Sequence, residues 1–486
     1  MRVLRRTHAA AGDARYAPAT GVIGDRSKRG ATLMTVVIWL LTAVLVCPPH
    51  FIFRAAYSAF TESSGFLTGP GIFIFGLGAG AYVIVSRLKL AVSVLRQMCL
   101  GLLGLVVLAT LSILWSADSG ETSHQVLRLY ALLLSAVAFT LAGWEPRRLQ
   151  RVLRPVLMFL MVGSLLLGLL APDLAIEAGK SNDLLDAWRG LTIQKNSLGA
   201  LAAVGVLVWV HAWLEGEVKK WVAMAGMVAS AACLLLSKSS TSLLATLATV
   251  PLLFLLLRTG PVMRRYMPYI VGVYATVVLV YSLAILNLIP GAGVLLERLT
   301  AITGRSMTFS GRIFIWNIML ENIRLHPLLG IGYGAFWTGA VPASPSYEFL
   351  TRLYFYPGES HNGYLDVINE LGFAGGICLI AYLISFLRQS LRLFRVDRNQ
   401  GALYLTMLFQ GLMGNLSESH WFKASSFDFL FITMATAALA RHLLELKRAG
   451  SSSAGLQVGP AAATGTATRA VRRRPLRRFR AGSSTV

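Results

Sequence analysis

The chain has 486 residues, of which 55% are hydrophobic and only 14% are charged, and its mean hydropathy is +0.62. This composition is far more apolar than that of an average soluble domain, and it predicts an all-α, polytopic membrane protein. The net charge of +23 is high enough for a nucleic-acid-binding protein, but the basic residues are spread over short loops and two tails. We therefore expect no nucleic-acid partner.

The four cysteines indicate neither a disulfide framework nor a metal site. Cys47, Cys99, Cys233 and Cys378 lie in or beside apolar runs and lack paired spacing. We expect them to be core residues, and we expect no bound metal.

The first 30 residues form a basic segment before an apolar run. They carry seven Lys or Arg residues against two Asp. A cleaved signal peptide is one interpretation, but Cys47 to His50 would make a poor cleavage site. We predict a cytoplasmic tail over 1–30 followed by an uncleaved first span.

A transmembrane helix needs about 20 apolar residues, and this length predicts about twelve spans. The spans are predicted at 31–48, 69–86, 97–115, 124–143, 154–171, 196–213, 219–237, 240–257, 268–289, 362–387, 402–417 and 425–444. Spans 1–9 thus fall within 31–289, a large loop containing amphipathic helices occupies 290–361, and spans 10–12 fall within 362–446. Residues 447–486 are rich in small and basic residues, and we predict a disordered tail that lies on anionic lipid headgroups.

The distribution of Lys and Arg predicts the orientation of the spans, because positively charged loops stay in the cytoplasm. Alternate loops are strongly basic, and the even number of spans returns the C-terminus to the side of the N-terminus. Both termini are therefore predicted to be cytoplasmic, and the loop 290–361 is predicted to lie on the outer side.

We predict the reaction centre in the stretch from Ser310 to Gly376, which is the most polar part of the chain. An amphipathic helix is predicted to begin at Ser310 and to end before Pro327. Arg312 would stand near the positive end of this helix, where it suits a phosphate or pyrophosphate. Three glycines then allow positive φ or close backbone approach, although a purely structural turn is the alternative; they are Gly330, Gly332 and Gly334.

Other polar residues lie at the predicted outer ends of spans. His361 precedes Asn362 and Tyr364 at the start of the tenth span, where a histidine is a candidate base for activating a hydroxyl. A lone histidine is more often a structural residue. Lys195 and Asn196 open the sixth span, and Lys238 lies in a hydroxyl-rich turn that is equally consistent with a simple helical hairpin.

The chain has no P-loop, dinucleotide fingerprint, HExxH pair or nucleophile elbow. We therefore expect no cofactor and no coupling to nucleotide hydrolysis. A substrate of this protein would have to carry its own activation.

Four motifs resemble one known family over roughly residues 190–440. They are GLTIQKN, SKSSTS, GRIFIWNIMLENIRLHPLLGIGYGAFW and HNGYLDVINELGFAGG. Their order is similar to that in the O-antigen ligase and polysaccharide polymerase superfamily of bacterial inner membranes, and GYGAFW looks closest to the exopolysaccharide-polymerase branch.

The resemblance implies a metal-independent glycosyltransferase that uses undecaprenyl-diphosphate-linked oligosaccharide on the periplasmic side. The family's essential arginine corresponds to Arg312, and its histidine before asparagine corresponds to His361. Many members have arginine in the serine-rich turn, where this chain has Lys238 as the nearest cation. The catalytic residues would then be His361 and Arg312, and the substrate-binding residues would be Lys195, Asn196, Arg305, Lys238, Asn362 and Tyr364.

Alternatives remain within and outside this superfamily. A polymerase would use another glycan as acceptor, whereas a ligase would use the lipid A core. Membrane lipids are expected partners in both cases, and a chain-length regulator or export complex is a further partner class. A polysaccharide transporter or lipid-linked sugar flippase also suits twelve spans, but such proteins usually carry charged residues within the spans.

Overall fold

The computed structural model describes residues 25–47, 68–177, 186–258 and 310–456, with a few more between 260 and 280. The chain divides into a main unit, 1–444, and a C-terminal unit, 445–486. Among the described residues, strands are limited to one antiparallel pair, Ile176–Glu177 (β1) and Ala187–Trp188 (β2). The predicted all-α architecture is confirmed.

The described helices are numbered in chain order. They are α1 Asp25–Val46, α2 Thr68–Ser86, α3 Leu88–Gln97, α4 Leu100–Leu111, α5 Ser119–Leu141, α6 Arg148–Leu170, α7 Pro172–Ala175, α8 Lys195–Glu215, α9 Lys220–Leu236, α10 Ser240–Arg258, α11 Ser310–Leu325, α12 Tyr347–Leu353, α13 Gly363–Val396, α14 Arg398–Gly414 and α15 Phe427–Leu456. In the C-terminal unit the described residues, 445–456, are helical, and Arg448 pairs with Glu445 (3.1 Å).

Seven of the described helices are long and apolar enough to cross a bilayer: α1, α5, α6, α8, α10, α13 and α15. An eighth span results if the bent pair α2 and α3 is counted as one, and α4 and α9 are shorter apolar helices. A polytopic membrane protein is therefore confirmed. The count of twelve and the orientation stay predictions, and the ninth predicted span, 268–289, lies largely outside the described residues.

Helix α3 is a short helix that a search for membrane spans by length does not detect. Its axis is bent by 103° from that of α2, so the two helices form either one broken span or a re-entrant loop. It buries Ala91 and Val94 while Lys89 and Arg96 are exposed. A helix of ten residues is too short to cross a bilayer, so residues 87–96 fall between the predicted spans 69–86 and 97–115.

The helix predicted in the large loop is present as α11. It packs against α12 and α13 and buries Trp316 and Ile323. Ile313 and Leu320, which recur at helical spacing with these two residues, are exposed instead. The reason is that α11 is apolar on more than one side, so its periodicity alone does not select the buried face.

A break in α13 joins the two halves of the predicted reaction centre. Gly372 has a φ of +65°, which interrupts the helical hydrogen bonds and frees backbone groups on both sides. The segment after α11 satisfies these groups, and a Cβ at Gly330 would lie only 2.4 Å from the carbonyl carbon of Glu370. The bonds run from the N–H of Ile331 to Asn369 O (3.1 Å), Gly332 to Glu370 O (3.0 Å), Phe373 to Pro327 O (2.8 Å) and Ala374 to Leu328 O (3.2 Å).

Candidate active site

A buried glutamate, Glu418, joins three residues that the sequence predicted as parts of the site. Its Oε1 lies 3.1 Å from a guanidinium nitrogen of Arg312 and accepts a hydrogen bond from Asn196 Nδ2 at 2.7 Å. Its Oε2 lies 3.5 Å from His361 Nδ1. The first turn of α8, the first turn of α11 and the residue before the cap of α13 therefore meet at one carboxylate.

The segment 415–426 between α14 and α15 holds Glu418 in place. Asn415 Oδ1 accepts the backbone N–H groups of His420 (2.9 Å) and Trp421 (2.6 Å), which folds the segment on itself. The N–H of Gly363 donates to the carbonyls of Asn415 and Glu418, both at 3.0 Å. A Cβ at Gly363 would lie 2.1 Å from Asn415 Oδ1, so this close approach requires glycine.

His361 lies between two fully buried neighbours that fix its position. Trp316 Nε1 on α11 donates to the carbonyl of Ser360 (3.0 Å), and Asn362 caps α13 by accepting the N–H groups of the two residues that follow Gly363. His361 itself has a φ of +53°, a conformation that L-residues adopt rarely. Its side chain remains 20% exposed, so the ring is anchored and still accessible.

A second carboxylate and a lysine extend the cluster beyond His361. Glu359 Oε1 lies 3.2 Å from His361 Nδ1 and also accepts a hydrogen bond from Gln194 Nε2 at 3.2 Å. Glu359 Oε2 lies 2.7 Å from Lys423 Nζ. Cationic and anionic side chains thus alternate from Arg312 through Glu418, His361 and Glu359 to Lys423, and we call these five residues the outer cluster.

The electrostatics of the outer cluster favour a charged imidazole. Burial alone would lower the pKa of His361, but the carboxylates of Glu359 and Glu418 outweigh it and raise this pKa to about 9. Burial opposes ionisation of Glu359, yet the Lys423 ammonium and the His361 ring hold its pKa well below the usual range. Because Nδ1 lies against the carboxylates, Nε2 is the nitrogen that a substrate would meet.

Glu359, His361 and Glu418 are close enough together for a cation to bridge them. One ligand atom from each lies within 4.8 Å of the others. However, Glu359 is already paired with Lys423 and Glu418 with Arg312. These cations supply the compensation that a metal would otherwise bring, so the donor set fits an ion-pair network better than a metal site.

The other predicted site residues have varied positions. The Tyr364 hydroxyl donates to the carbonyl of Leu412 (2.9 Å), and the Lys195 backbone N–H donates to Glu177 (2.8 Å) at the start of α8. Lys238 has a φ of +51° and is exposed in the turn between α9 and α10. Arg305 lies outside the described residues.

Three members of the outer cluster were missed by the sequence analysis: Glu359, Glu418 and Lys423. Glu418 and Lys423 belong to SESHWFK, a polar run in a short connection between two apolar helices. Such density of polar residues beside a membrane boundary is a signal that could have identified them. Their pairing with residues about 60 to 220 positions away is visible in the fold alone.

Comparison with known proteins agrees with the motifs. Residues 225–380, which include Arg312 and His361, match the model of a family described as O-antigen ligase. The chain is also 29% identical over 233 residues to the exopolysaccharide production protein ExoQ of Rhizobium meliloti (strain 1021), which covers 44% of this chain and 50% of that protein. The chain thus spans about half the length of this curated relative. Both similarities agree with the resemblance carried by the motifs: these parts of the chain are similar to the O-antigen ligase family and to an exopolysaccharide production protein.

Proposed function

We propose that the chain transfers a glycan from an undecaprenyl-diphosphate-linked donor to an acceptor hydroxyl on the periplasmic side of the inner membrane. In this way it polymerises repeat units of an exopolysaccharide or O-antigen. The observation that supports this most strongly is the convergence of Arg312 and His361 on Glu418. It places an anion-binding fork and a proton-accepting ring in one cluster at the ends of several helices.

Arg312 would bind the diphosphate of the donor. It lies on the first turn of α11, where the helix dipole already favours an anion, and its side chain is 20% exposed. Negative charge grows on the diphosphate as the bond to the sugar breaks. A guanidinium held by Glu418 offsets that charge in the transition state without having to reorganise.

His361 would act on the acceptor. With Nδ1 held by Glu359 and Glu418, Nε2 takes the proton of the acceptor hydroxyl. The acceptor oxygen then bonds to the anomeric carbon, the bond from that carbon to the phosphate oxygen breaks, and the polyprenyl diphosphate leaves with the electron pair. The proton resides on His361 until it returns to water.

This reaction needs no metal, because Arg312 and Lys423 supply the positive charge. We expect EDTA to leave the transfer rate of the purified protein within about twofold of its untreated value. Loss of transfer that is restored by a divalent cation would instead assign Glu359, His361 and Glu418 to a metal site.

Transfer by purified protein tests the function directly. Wild-type protein in nanodiscs, supplied with the lipid-diphosphate-linked repeat unit, should form new glycosidic bonds and release polyprenyl diphosphate. A flippase forms no such bond. Cells that carry His361→Ala should accumulate single lipid-linked repeat units, and polymer made at the normal rate in these cells would contradict the assignment.

A ligase that uses the lipid A core as acceptor is the second candidate. The family description names that activity, whereas the similarity to an exopolysaccharide production protein favours the polymerase. A deletion strain separates the two. Loss of exopolysaccharide indicates a polymerase, and intact polymer that never reaches lipid A indicates a ligase.

A further inference from the structure

Two cavities lie on either side of the segment 418–423, and they differ in character. The first, of about 40 Å³, is mainly apolar, is lined by residues such as Val204, Leu207 and Phe431, and reaches Glu418. The second, of about 150 Å³, is markedly more polar. Its principal side chains are Gln125, Trp337, Asp366, Glu370, Trp421 and Lys423.

We propose that the second cavity, here called the polar cavity, binds a sugar unit of the acceptor glycan. This inference rests on the proposed transferase function and specifies where its acceptor lies. Part of its lining comes from the predicted reaction centre, but none of the eight residues predicted as catalytic or substrate-binding lines this cavity.

The lining of the polar cavity matches the chemistry of a sugar. Sugar hydroxyls donate hydrogen bonds to carboxylates and accept them from an ammonium or an amide, and the C–H face of the ring packs on aromatic side chains. Asp366, Glu370 and Lys423 provide the first set of groups, and Trp337 provides an aromatic surface. Trp337 Nε1 also donates to Asp366 Oδ1 at 3.0 Å, which fixes the orientation of that carboxylate.

A purely structural role explains the polar cavity less well. Asp366 and Glu370 are four residues apart on one face of α13, where two carboxylates destabilise a helix unless they are compensated; Trp337 donates to Asp366, and Lys423 attracts both carboxylates. Lys423 is already 2.7 Å from Glu359. The volume of about 150 Å³ is roughly ten times the ~10–15 Å³ that one water needs, whereas the core around a structural ion pair is close-packed.

The polar cavity adjoins the outer cluster. Lys423 lines the cavity and contacts Glu359, whose other oxygen lies 3.2 Å from His361 Nδ1. Gly358, the residue before Glu359, lines it as well. A sugar held there would be separated from the His361 imidazole by the Glu359 side chain alone.

The acceptor suits this cavity better than the donor does. The donor carries an apolar polyprenyl chain, and its diphosphate is assigned to Arg312, whose partner Glu418 lines the mainly apolar cavity. The polar cavity lies beyond Ser419 and Trp421, on the other side of the same segment. The two cavities therefore provide separate places for the lipid-linked donor and for the sugar of the acceptor.

The test measures binding of a repeat unit freed from its lipid by mild acid, by calorimetry, to the purified full-length protein. We expect Glu370→Gln to weaken binding at least tenfold, because Gln keeps the size of Glu but replaces one of its two oxygens with an amide group that cannot accept a hydrogen bond. Glu321→Gln is the matched control: Glu321 is exposed on α11 and pairs with Arg352, so its affinity should stay within twofold of wild type. In the transfer assay, Glu370→Gln should raise the KM for the freed unit as acceptor and leave kcat within about threefold.

A second variant keeps the test decisive if Glu370→Gln does not fold. Gln125→Ala removes a half-buried side chain on α5 from the cavity wall, and it should weaken binding by at least threefold. Wild-type affinity in the folded variants, or no binding of the freed unit to wild type, would overturn the subsite. If wild-type protein forms glycosidic bonds in that case, the proposed function stands and the subsite alone fails; if it forms none, the proposed function fails.

Discussion

The two ends of α8 carry clusters built from the same residue types, and the comparison shows what separates a site from a structural network. At its first turn, Asn196 meets the outer cluster through Glu418. Beyond its last turn, Glu217 pairs with Arg154 and Arg147, and we call these three residues the inner cluster. The 21 residues of α8 separate the two clusters by roughly 30 Å.

The inner cluster is closed by its own counter-ions. The side chains of Arg154 and Glu217 are 6% and 7% exposed, and Arg147, which is 42% exposed at the edge of the cluster, has its Nε 2.9 Å from Glu217. Nearby, the His211 ring is buried against the carbonyl of Asn399 at 3.0 Å. The outer cluster is paired as well, but two cavities reach its members, and both Arg312 and His361 are partly exposed. The cavities beside the outer cluster, rather than residue type, distinguish it from the buried Arg154–Glu217 pair.

The largest expected effect on the transfer rate comes from removing Arg312 in the outer cluster. Arg312→Ala removes the fork proposed for the diphosphate and leaves Glu418 buried without that partner, so transfer should fall by about 100- to 1,000-fold. Arg312→Lys keeps a charge without the fork and should recover only part of the rate. The measurement is transfer from the lipid-linked donor by purified protein, with folded protein quantified separately. A rate near wild type for Arg312→Ala would show that the outer cluster is not the site of transfer.

Glu418→Gln should have the next largest effect. The amide can still accept from Asn196 and Arg312, but the negative charge that orients Arg312 is lost. Losing a charge-assisted hydrogen bond costs about 1.5–3 kcal/mol, which corresponds to a rate roughly tenfold to a hundredfold lower. Glu348→Gln, at an exposed ion pair on α12, is the matched control and should leave the rate unchanged. Equal rates for both variants would show that Glu418 serves the fold alone.

The helices that carry the outer cluster can be predicted from the sequence, because the signals for their positions are local. Apolar runs of sufficient length mark the spans, and Ser310 and Pro327 bracket α11. The positive φ at Gly330, Gly332 and Gly334 is also what glycine in a tight connection suggests. These features depend on neighbouring residues, which one sequence displays.

Tertiary contacts account for what the sequence could not predict. Glu418 contacts Asn196 and Arg312, which lie far from it in the sequence, and no periodicity of the sequence predicts these contacts. The break at Gly372 is satisfied by backbone groups of another segment, so an intact apolar run conceals it. The same residue types form the inner cluster, and nothing in the local sequence pattern indicates which of the two clusters lies beside a cavity.

The pH dependence of transfer is a further test of the outer cluster, because His361 lies against the carboxylates of Glu359 and Glu418. With a pKa of about 9, His361 is mostly protonated at neutral pH, and only the neutral ring can accept a proton. The rate should therefore rise about tenfold per pH unit below pH 9 and then level off. A rate that falls as the pH rises through 9 would instead assign the charged ring to the diphosphate.

Stability should show the opposite trend with pH. The ordinary pKa of histidine is 6.5, and a pKa raised in the folded state stabilises the protein fully below that value. This contribution is lost as the pH rises through about 9. Thermal unfolding measured over the same pH range separates the two effects, since a loss of folded protein cannot produce a rising rate.

The smallest effect on transfer is expected at the inner cluster, and it completes the comparison. Glu217→Gln leaves the nearly buried Arg154 without a full counter-charge, and breaking a buried pair in this way costs about 3–5 kcal/mol of stability. The melting temperature in detergent should fall clearly, whereas Glu145→Gln, at the exposed pair with Arg151, should cost at most about 1 kcal/mol. Transfer per folded molecule should match wild type in both variants, because the inner cluster lies roughly 30 Å from the proposed chemistry, at the far end of α8. A Glu217→Gln protein that is stable but slow would mean that the two ends of α8 are coupled, and the division between an open site and a closed network would then be wrong.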